Sequence, residues 1–480
     1  MGSTLPSIKV NQKILEMEYA VRGPIPKRAA ILKDEGKSII FCNIGNPQAL
    51  GQPPITYYRQ VLSLVEEPSK IQRERRLKEL FEETPLSEIN DDDFISDYVL
   101  DLSEEILSKI GTGMGAYTES KGIRFIRQAV ANFIDKRDDI ASTDGMPANS
   151  ENIFLTTGAS AGAKSVIDLL IADPNDGIMI PIPQYPLYSA TIKKAGGIQV
   201  NYYPDEEQGW ALNRNILEES YAQAKAEGVN IKGIVVINPG NPTGAILGKE
   251  SIQEVISFAK DHSLIIIADE VYQENIYTGE FISFAKMLGN LEVTLFSLHS
   301  ISKGFYGECG HRGGYLEVRN PPKVEGTDLD FVDLLTKNAS VSLCSNTAGQ
   351  ILIYLMVSPP EEGSQPYAQF DQEKQNTLRI LHEKATIIRE AFDQMNGVEC
   401  FGITSAMYLF PRLGQLPEGT TDFDYCMALL EETGLCVVNG SGFGQKQGTH
   451  HLRIAFLPPK DLLDEVLPKW IDFHNNYIVK

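Results

Sequence analysis

Between Ser297 and Tyr315 the chain reads SLHSISKGFYGECGHRGGY: one lysine, Lys303, soon after an apolar run, then five glycines around a single arginine, Arg312. A lysine at the edge of a core is partly desolvated, and desolvation together with a cation such as Arg312 is expected to lower its pKa toward the neutral amine that attacks carbonyls. Other stretches carry partners for such chemistry. LIIIAD ends on Asp269, an acid at the mouth of an apolar strand, which must pair with a cation or serve as a helix N-cap. NPGNPTG (Asn238 to Gly244) has the composition of a tight turn and offers the Asn241 amide, and DEVYQ offers the Tyr272 phenol. TTGASAG starts a helix, so the backbone N–H groups of Ala159 and Ser160 and the Ser160 hydroxyl can face an anion at the positive end of the dipole. Ser300 and Arg312 would close that cradle, Arg312 as a bidentate fork.

Together these are the parts that pyridoxal phosphate requires. It needs a lysine for its aldehyde, an acid for its ring nitrogen, donors for its phenolate oxygen and a cradle for its phosphate. Tyr185 in PIPQYPLY either stacks on the ring or packs beside its prolines. Arg453, a charge inside HLRIAFL, needs a carboxylate, from a structural ion pair or from a substrate.

Such residues must be held at one edge of a sheet. IKGIVVI (Ile231 to Ile237) reads as a strand ending in NPGNPTG, ESIQEVISFAKDH follows as a helix, and SLIIIADE is a second apolar strand. That is the βαβ unit of a parallel sheet covered on both faces. NIFLTTGASAGAKSVIDLLIA repeats the pattern, and GIMIPIPQY and VTLFSLHS read as further strands. Ligands of such sheets collect outside the carboxyl ends of the strands, where Lys303, Asp269 and Asn241 all fall. After about residue 350 a long polar-faced helix is followed by AMYLFPRL, GLCVV and HLRIAFL as short strands, with the loop VSPPEEGSQP beside the boundary. The expected fold class is α/β. The expected division is an N-terminal arm and part of a small domain over 1–60, a large domain over 61–350, and a small C-terminal domain over 351–480, with the Pro-rich start wrapping onto the C-terminal part.

The chain's 480 residues, 42% hydrophobic and 22% charged, suit a folded enzyme of more than one core. With 43 Lys and Arg against 64 Asp and Glu the formal charge is −21, which repels nucleic acid and anionic lipid. The basic stretch KIQRERRLKEL is interrupted by Glu74 and Glu79 and followed by Asp91, Asp92 and Asp93, and reads as a solvated helix face. Six scattered cysteines without a CxxC suggest free thiols in a reducing compartment. The N-terminus shows no apolar leader, and Pro6 stands where a myristoylation signal wants Ser or Thr. No apolar run approaches the roughly 18 residues of a membrane span. The ending YIVK is not a peroxisomal address, so a cytoplasmic protein is expected, with an organellar isoform as the alternative. No metal site is expected.

The chain resembles the fold type I, pyridoxal-phosphate-dependent class I/II aminotransferases. The resemblance runs from NIGNPQALGQPPITYYRQV through IPIPQYPLYSA, VINPGNPTG, ADEVYQENIY and SKGFYGECGHRGGY to EETGLCVVNGSGFGQ and HLRIAFLPP. NPGNPTG marks only the superfamily, whereas GECG-x-RGGY with PIPQYPLYSA narrows the resemblance to an alanine-using branch. The resemblance implies a large domain with a mostly parallel sheet flanked by helices, plus a smaller α/β domain from both terminal segments. It implies that Lys303 joins the cofactor and shuttles the proton, that Asp269 pairs with the ring nitrogen, and that Asn241 and Tyr272 hold the phenolate oxygen. It further implies that Tyr185 stacks on the ring, that Ala159, Ser160, Ser300 and Arg312 bind phosphate, and that Arg453 binds the substrate α-carboxylate with Gly45 and Asn241 beside it. Tyr117 in GAYTESKG matches a tyrosine that reaches the phosphate of the neighbouring subunit, which implies a homodimer. Two departures stand out. The glycine-rich stretch is one residue longer than in aspartate-using members, and Asn439 in VVNGSGFG replaces a proline near the substrate mouth. The implied activity is reversible transamination of L-alanine and 2-oxoglutarate to pyruvate and L-glutamate by ping-pong kinetics. The alternatives are glutamate:glyoxylate transamination and a lyase of the aminocyclopropane-carboxylate synthase kind. A cofactor-binding regulator would need an appended DNA-binding module, which the chain does not show.

Overall fold

The strands are β1 (Ile40–Phe41), β2 (Ile153–Thr156), β3 (Asp176–Pro181), β4 (Ile198–Tyr202), β5 (Asn230–Ile237), β6 (Ile265–Asp269), β7 (Leu295–Ser300), β8 (Gly314–Arg319), β9 (Tyr408–Leu409), β10 (Leu435–Cys436), β11 (Val438–Asn439) and β12 (Leu452–Ala455). They come from a computed structural model that describes residues 9–17, 23–83, 94–143 and 145–479. Pro6, Asp91, Asp92, Asp93 and Lys480 lie outside the described residues.

Seven strands form the main sheet in the order β2–β8–β7–β6–β5–β3–β4. All neighbouring pairs are parallel except those of β8, which runs against both β7 and β2. The unbroken apolar run of β5 follows from cover on both faces: Ile234 and Val236 enter one core cluster while Val235 and Ile237 enter another. In β6, Ile266 and Ala268 face the first of these clusters and Ile267 the second. Helices Arg214–Ala226 and Lys249–Asp261 cover one side, and Ala159–Leu170 and Leu187–Ala195 the other.

The reversed direction of β8 matters for function. Its first residue, Gly314, pairs with both Thr156 of β2 and Ser300 of β7. Antiparallel registry therefore brings the start of β8, and Arg312 just before it, to the same edge as the carboxyl ends of β2 and β7.

A second, three-stranded antiparallel sheet, β11–β12–β9, carries Arg453 on its central strand, opposite Val438, and Tyr408 opposite Ala455. β1 pairs in parallel with β10, and the Ala455 amide donates to the Cys42 carbonyl at 2.8 Å, so early and late segments share one framework. The basic stretch lies in helix Ser69–Glu83, of which only Ile71 is buried. Among the described residues no helix is long and apolar enough to cross a membrane, and no group of side chains has metal-ligand spacing.

Candidate active site

The edge where these strands end gathers most of the candidate residues, and its cations form no ion pair with a carboxylate among the described residues. Lys303, Arg312 and Arg453 have no ion-pair partner among the described residues. Arg453 is 1% exposed and donates only to neutral oxygens: Nη1 to Asn241 Oδ1 at 3.1 Å and Nη2 to the Asn43 carbonyl at 2.6 Å. Its Nε has no partner among the described residues. A buried guanidinium without a counter-charge is costly, so the arrangement calls for an anion from outside the chain. The ion-pair alternative for Arg453 is thereby removed.

Asp269 ends β6 at 6% exposure. Its Oδ2 accepts the Tyr188 hydroxyl at 2.7 Å, and its Oδ1 has no partner among the described residues. Burial pushes this carboxyl above its ordinary range, against the Tyr188 hydroxyl, the Val271 amide and the Lys303 charge, which pull it down. No helix follows Asp269, so it is not an N-cap. A cationic N–H donor would meet both the orphaned oxygen and the missing charge.

Asn241 and Tyr272 are joined: the amide Nδ2 donates to the phenol oxygen at 3.2 Å. The Tyr272 hydroxyl donates onward to Tyr408 at 3.4 Å, and their rings meet edge to face at 5.9 Å between centroids. Lys303 Nζ stands 5.7 Å above the Tyr272 ring and donates to the Gly45 carbonyl at 2.7 Å.

The candidate anion site combines a helix start with two side chains, Arg312 and Ser300. Helix Ala159–Leu170 begins after Gly158, whose φ of 77° lies in the left-handed region. A Cβ at Gly158 would come within 2.3 Å of Arg312 Nη2, so only glycine lets the guanidinium lie against the helix start. Arg312 itself adopts φ 53°, an uncommon state for a non-glycine residue, held by its Nη1 donating to the Cys309 carbonyl at 2.9 Å. Ser300 Oγ donates to the Gly313 carbonyl at 2.9 Å and accepts the Ser302 amide, which ties the β7 end to this turn. Helix dipole, free amides and guanidinium converge as a phosphate site does.

One expectation is corrected. Burial does lower the Lys303 amine, but the Tyr408 phenol, the Cys309 thiol and Tyr185 outweigh it, and the net direction is upward. The cation that opposes them is Arg453 rather than Arg312. Tyr185 is half-buried against the core, and Tyr117, at 78% exposure, stands on the surface beside a cleft of about 1670 Å³ that is separate from this edge. Reading the sequence missed Tyr188, Tyr408 and Asn43. Tyr188 was within reach, since it follows Tyr185 by three residues at the start of helix Leu187–Ala195.

The model of aminotransferase class I and II matches residues 94–468. The chain belongs to the class I and II aminotransferase family. A relative from Panicum miliaceum named alanine aminotransferase 2 is 40% identical over 507 residues, covering 100% of this chain and 99% of its own. Glutamate–glyoxylate aminotransferase 1 of Arabidopsis thaliana is 40% identical, covering 98% and 96%. A Saccharomyces cerevisiae relative named inactive alanine aminotransferase is 41% identical, covering 98% and 94%. An alanine aminotransferase structure from Pyrococcus furiosus superposes with a TM-score of 0.76 at 23% identity, covering 98% of this chain and 100% of that one, which shows the fold. This aminotransferase is thus a fold type I, pyridoxal-phosphate-dependent enzyme, and its residues fit that cofactor: the orphaned Asp269 oxygen would meet the ring nitrogen, and the helix start with Arg312 lying against Gly158 would meet the phosphate.

Proposed function

We propose that this aminotransferase interconverts L-alanine and 2-oxoglutarate with pyruvate and L-glutamate. Full-length relatives named alanine aminotransferase support this reading, but a relative at 41% identity is named inactive, so the site itself must carry it. The observation that carries it is that Lys303, Arg312 and Arg453 lie without ion-pair partners among the described residues at the sheet edge where Asp269 keeps one oxygen without a partner.

In this reading the Ala159 and Ser160 amides, Ser300 and Arg312 hold the cofactor phosphate. Asp269 holds its ring nitrogen, Asn241 and Tyr272 its phenolate oxygen, and Tyr185 lies against its ring. When bound, pyridoxal phosphate supplies an electron sink for the carbanion formed at the substrate Cα. Arg453 binds the substrate α-carboxylate, releasing the strain of an unpaired buried charge. Its hydrogen bond to Asn241 fixes that carboxylate relative to the phenolate donors. Lys303, freed from the Gly45 carbonyl, takes the proton from the substrate Cα and relays it along the same face, away from Cα, as transamination requires. Gly45 leaves room there: a Cβ would lie 1.8 Å from Tyr408 Oη and 3.1 Å from Lys303 Nζ. The donor and acceptor use the same site in turn, which gives ping-pong kinetics.

The same reading makes the functional unit a homodimer, with exposed Tyr117 reaching the neighbour's phosphate site. It divides the chain at about residues 60 and 350, and places it in the cytoplasm, in keeping with cysteines that are all free. Glutamate:glyoxylate transamination is the second reading, favoured by the Arabidopsis relative. A panel of amino donors and oxoacids on the purified chain decides. L-alanine with 2-oxoglutarate is expected to give the highest kcat/KM. Glyoxylate preferred by more than about tenfold would establish the second reading, and loss of a donor's side-chain group without any oxoacid would establish a lyase.

A further inference from the structure

Four side chains close a ring at the site. Arg453 donates to Asn241, Asn241 to Tyr272 and Tyr272 to Tyr408, at 3.1, 3.2 and 3.4 Å. The Tyr408 ring then lies under the Arg453 guanidinium, 4.2 Å from its centroid. Three members have roles already: substrate carboxylate and phenolate oxygen. Tyr408 has none, yet it is 2% exposed and its hydroxyl fills the notch left by Gly45, beside the Lys303 amine. It comes from β9, in a different sheet from the residues it touches on the main-sheet edge.

The geometry points to Tyr408 as a positioning residue: stacked on Arg453 and lodged at Gly45, its hydroxyl anchors Tyr272 and fixes where the Lys303 amine stands. The inference rests on the assignment of Lys303, Asn241, Tyr272 and Arg453 made above. The amine also faces Tyr185, Asp269, Cys309 and Arg453, and the three atoms nearest a Gly45 Cβ belong to Tyr408 and Lys303 alone. Burial would raise the Tyr408 phenol, but the charges of Lys303 and Arg453 and the Tyr272 hydrogen bond bring it below its ordinary value. Phenol and amine therefore share a proton balance, and each holds the other's charged form.

Tyr408→Phe removes the hydroxyl and keeps the ring on Arg453. In the cofactor-stripped full chain, acetic anhydride labelling of Lys303 is followed against pH by mass spectrometry. Its midpoint is expected to fall by about half a pH unit or more, because the phenolate that favours the ammonium is gone. In the holoenzyme kcat with L-alanine is expected to fall about tenfold or more, while KM changes by less than about threefold because the Arg453 stack remains. Tyr203→Phe, at an exposed site, should move neither readout. An unmoved Lys303 midpoint in Tyr408→Phe overturns the proposal. Should that variant fail to fold, Gly45→Ala displaces the same hydroxyl from the other side, and an unmoved midpoint there overturns it equally. A wild-type chain that ignored alanine would sink the substrate reading and leave the labelling test in force.

Discussion

At Asp269 one carboxylate oxygen is taken by Tyr188 and the other, though buried, is free. Asp269→Asn keeps the size and the Tyr188 contact but removes the charge that would hold a ring nitrogen protonated. The kcat for alanine is expected to fall about 10²–10⁴-fold, read by coupled assay on the cofactor-saturated variant, and a loss below about tenfold would remove Asp269 from this role. Lys303, Asp269, Asn241 and Arg453 were legible because each is a polar group at the end of, or inside, an apolar run, where a charge or amide needs a reason. Tyr408 was not: a tyrosine in AMYLFPRL has the pattern of any core residue, and only packing shows its hydroxyl beside Lys303. The same gap explains the reversed direction of the Lys303 shift, since the phenol that outweighs burial comes from another sheet.

Helix Ala159–Leu170 and strand β8 are the elements that would make the proposed anion cradle. Gly158→Ala would strain a φ of 77° and set a methyl within 2.3 Å of Arg312 Nη2. Cofactor affinity, followed by fluorescence titration of the stripped chain, is expected to weaken by about tenfold or more, with the helix still formed by circular dichroism. Unchanged affinity would place the phosphate elsewhere. The continuous apolar strands β5 and β6 could be read directly from sequence, because cover on both faces leaves no polar alternation. β4 and β8 could not. β4 is an edge strand with Gln199 and Asn201 exposed. GYLEVR carries Glu317 and Arg319, which look like solvent-facing charges but are buried and pair with each other at 2.8 Å. Without β8 the closeness of Arg312 to Ser300 and Ala159 has no visible cause.

Across the whole molecule, a buried carboxyl ties stability to pH, and the proposed dimer would tie activity to subunit contact. Glu270 is 1% exposed; burial pushes its carboxyl up to about 8, opposed by Arg137 and the Phe284 amide and reinforced by Asp138 and Glu317. The unfolded chain loses that proton in the ordinary carboxylate range, so between there and pH 8 the folded state binds more protons and stability falls as pH rises. Glu270→Gln keeps an acceptor for the Phe284 amide, which Oε1 accepts at 2.8 Å. The drop in unfolding free energy from pH 6 to pH 8 is therefore expected to shrink by an amount on the order of 1 kcal/mol, derived from thermal melts at the two pH values. An identical drop in both proteins would mean that Glu270 is ionised in the fold. The dimer is tested by subunit exchange. If Tyr117 serves the neighbour's phosphate, Tyr117→Ala leaves each subunit's Lys303 intact but starves the opposite site, while Lys303→Ala kills its own site and still lends Tyr117. Each homodimer is then impaired for a different reason. A mixed dimer contains one site with both residues, and random pairing makes half of the dimers mixed. Unfolding and refolding the two variants together in equal amounts is expected to restore about a quarter of wild-type activity. Activity no higher than the average of the separate variants would show that Tyr117 acts within its own subunit or not at all.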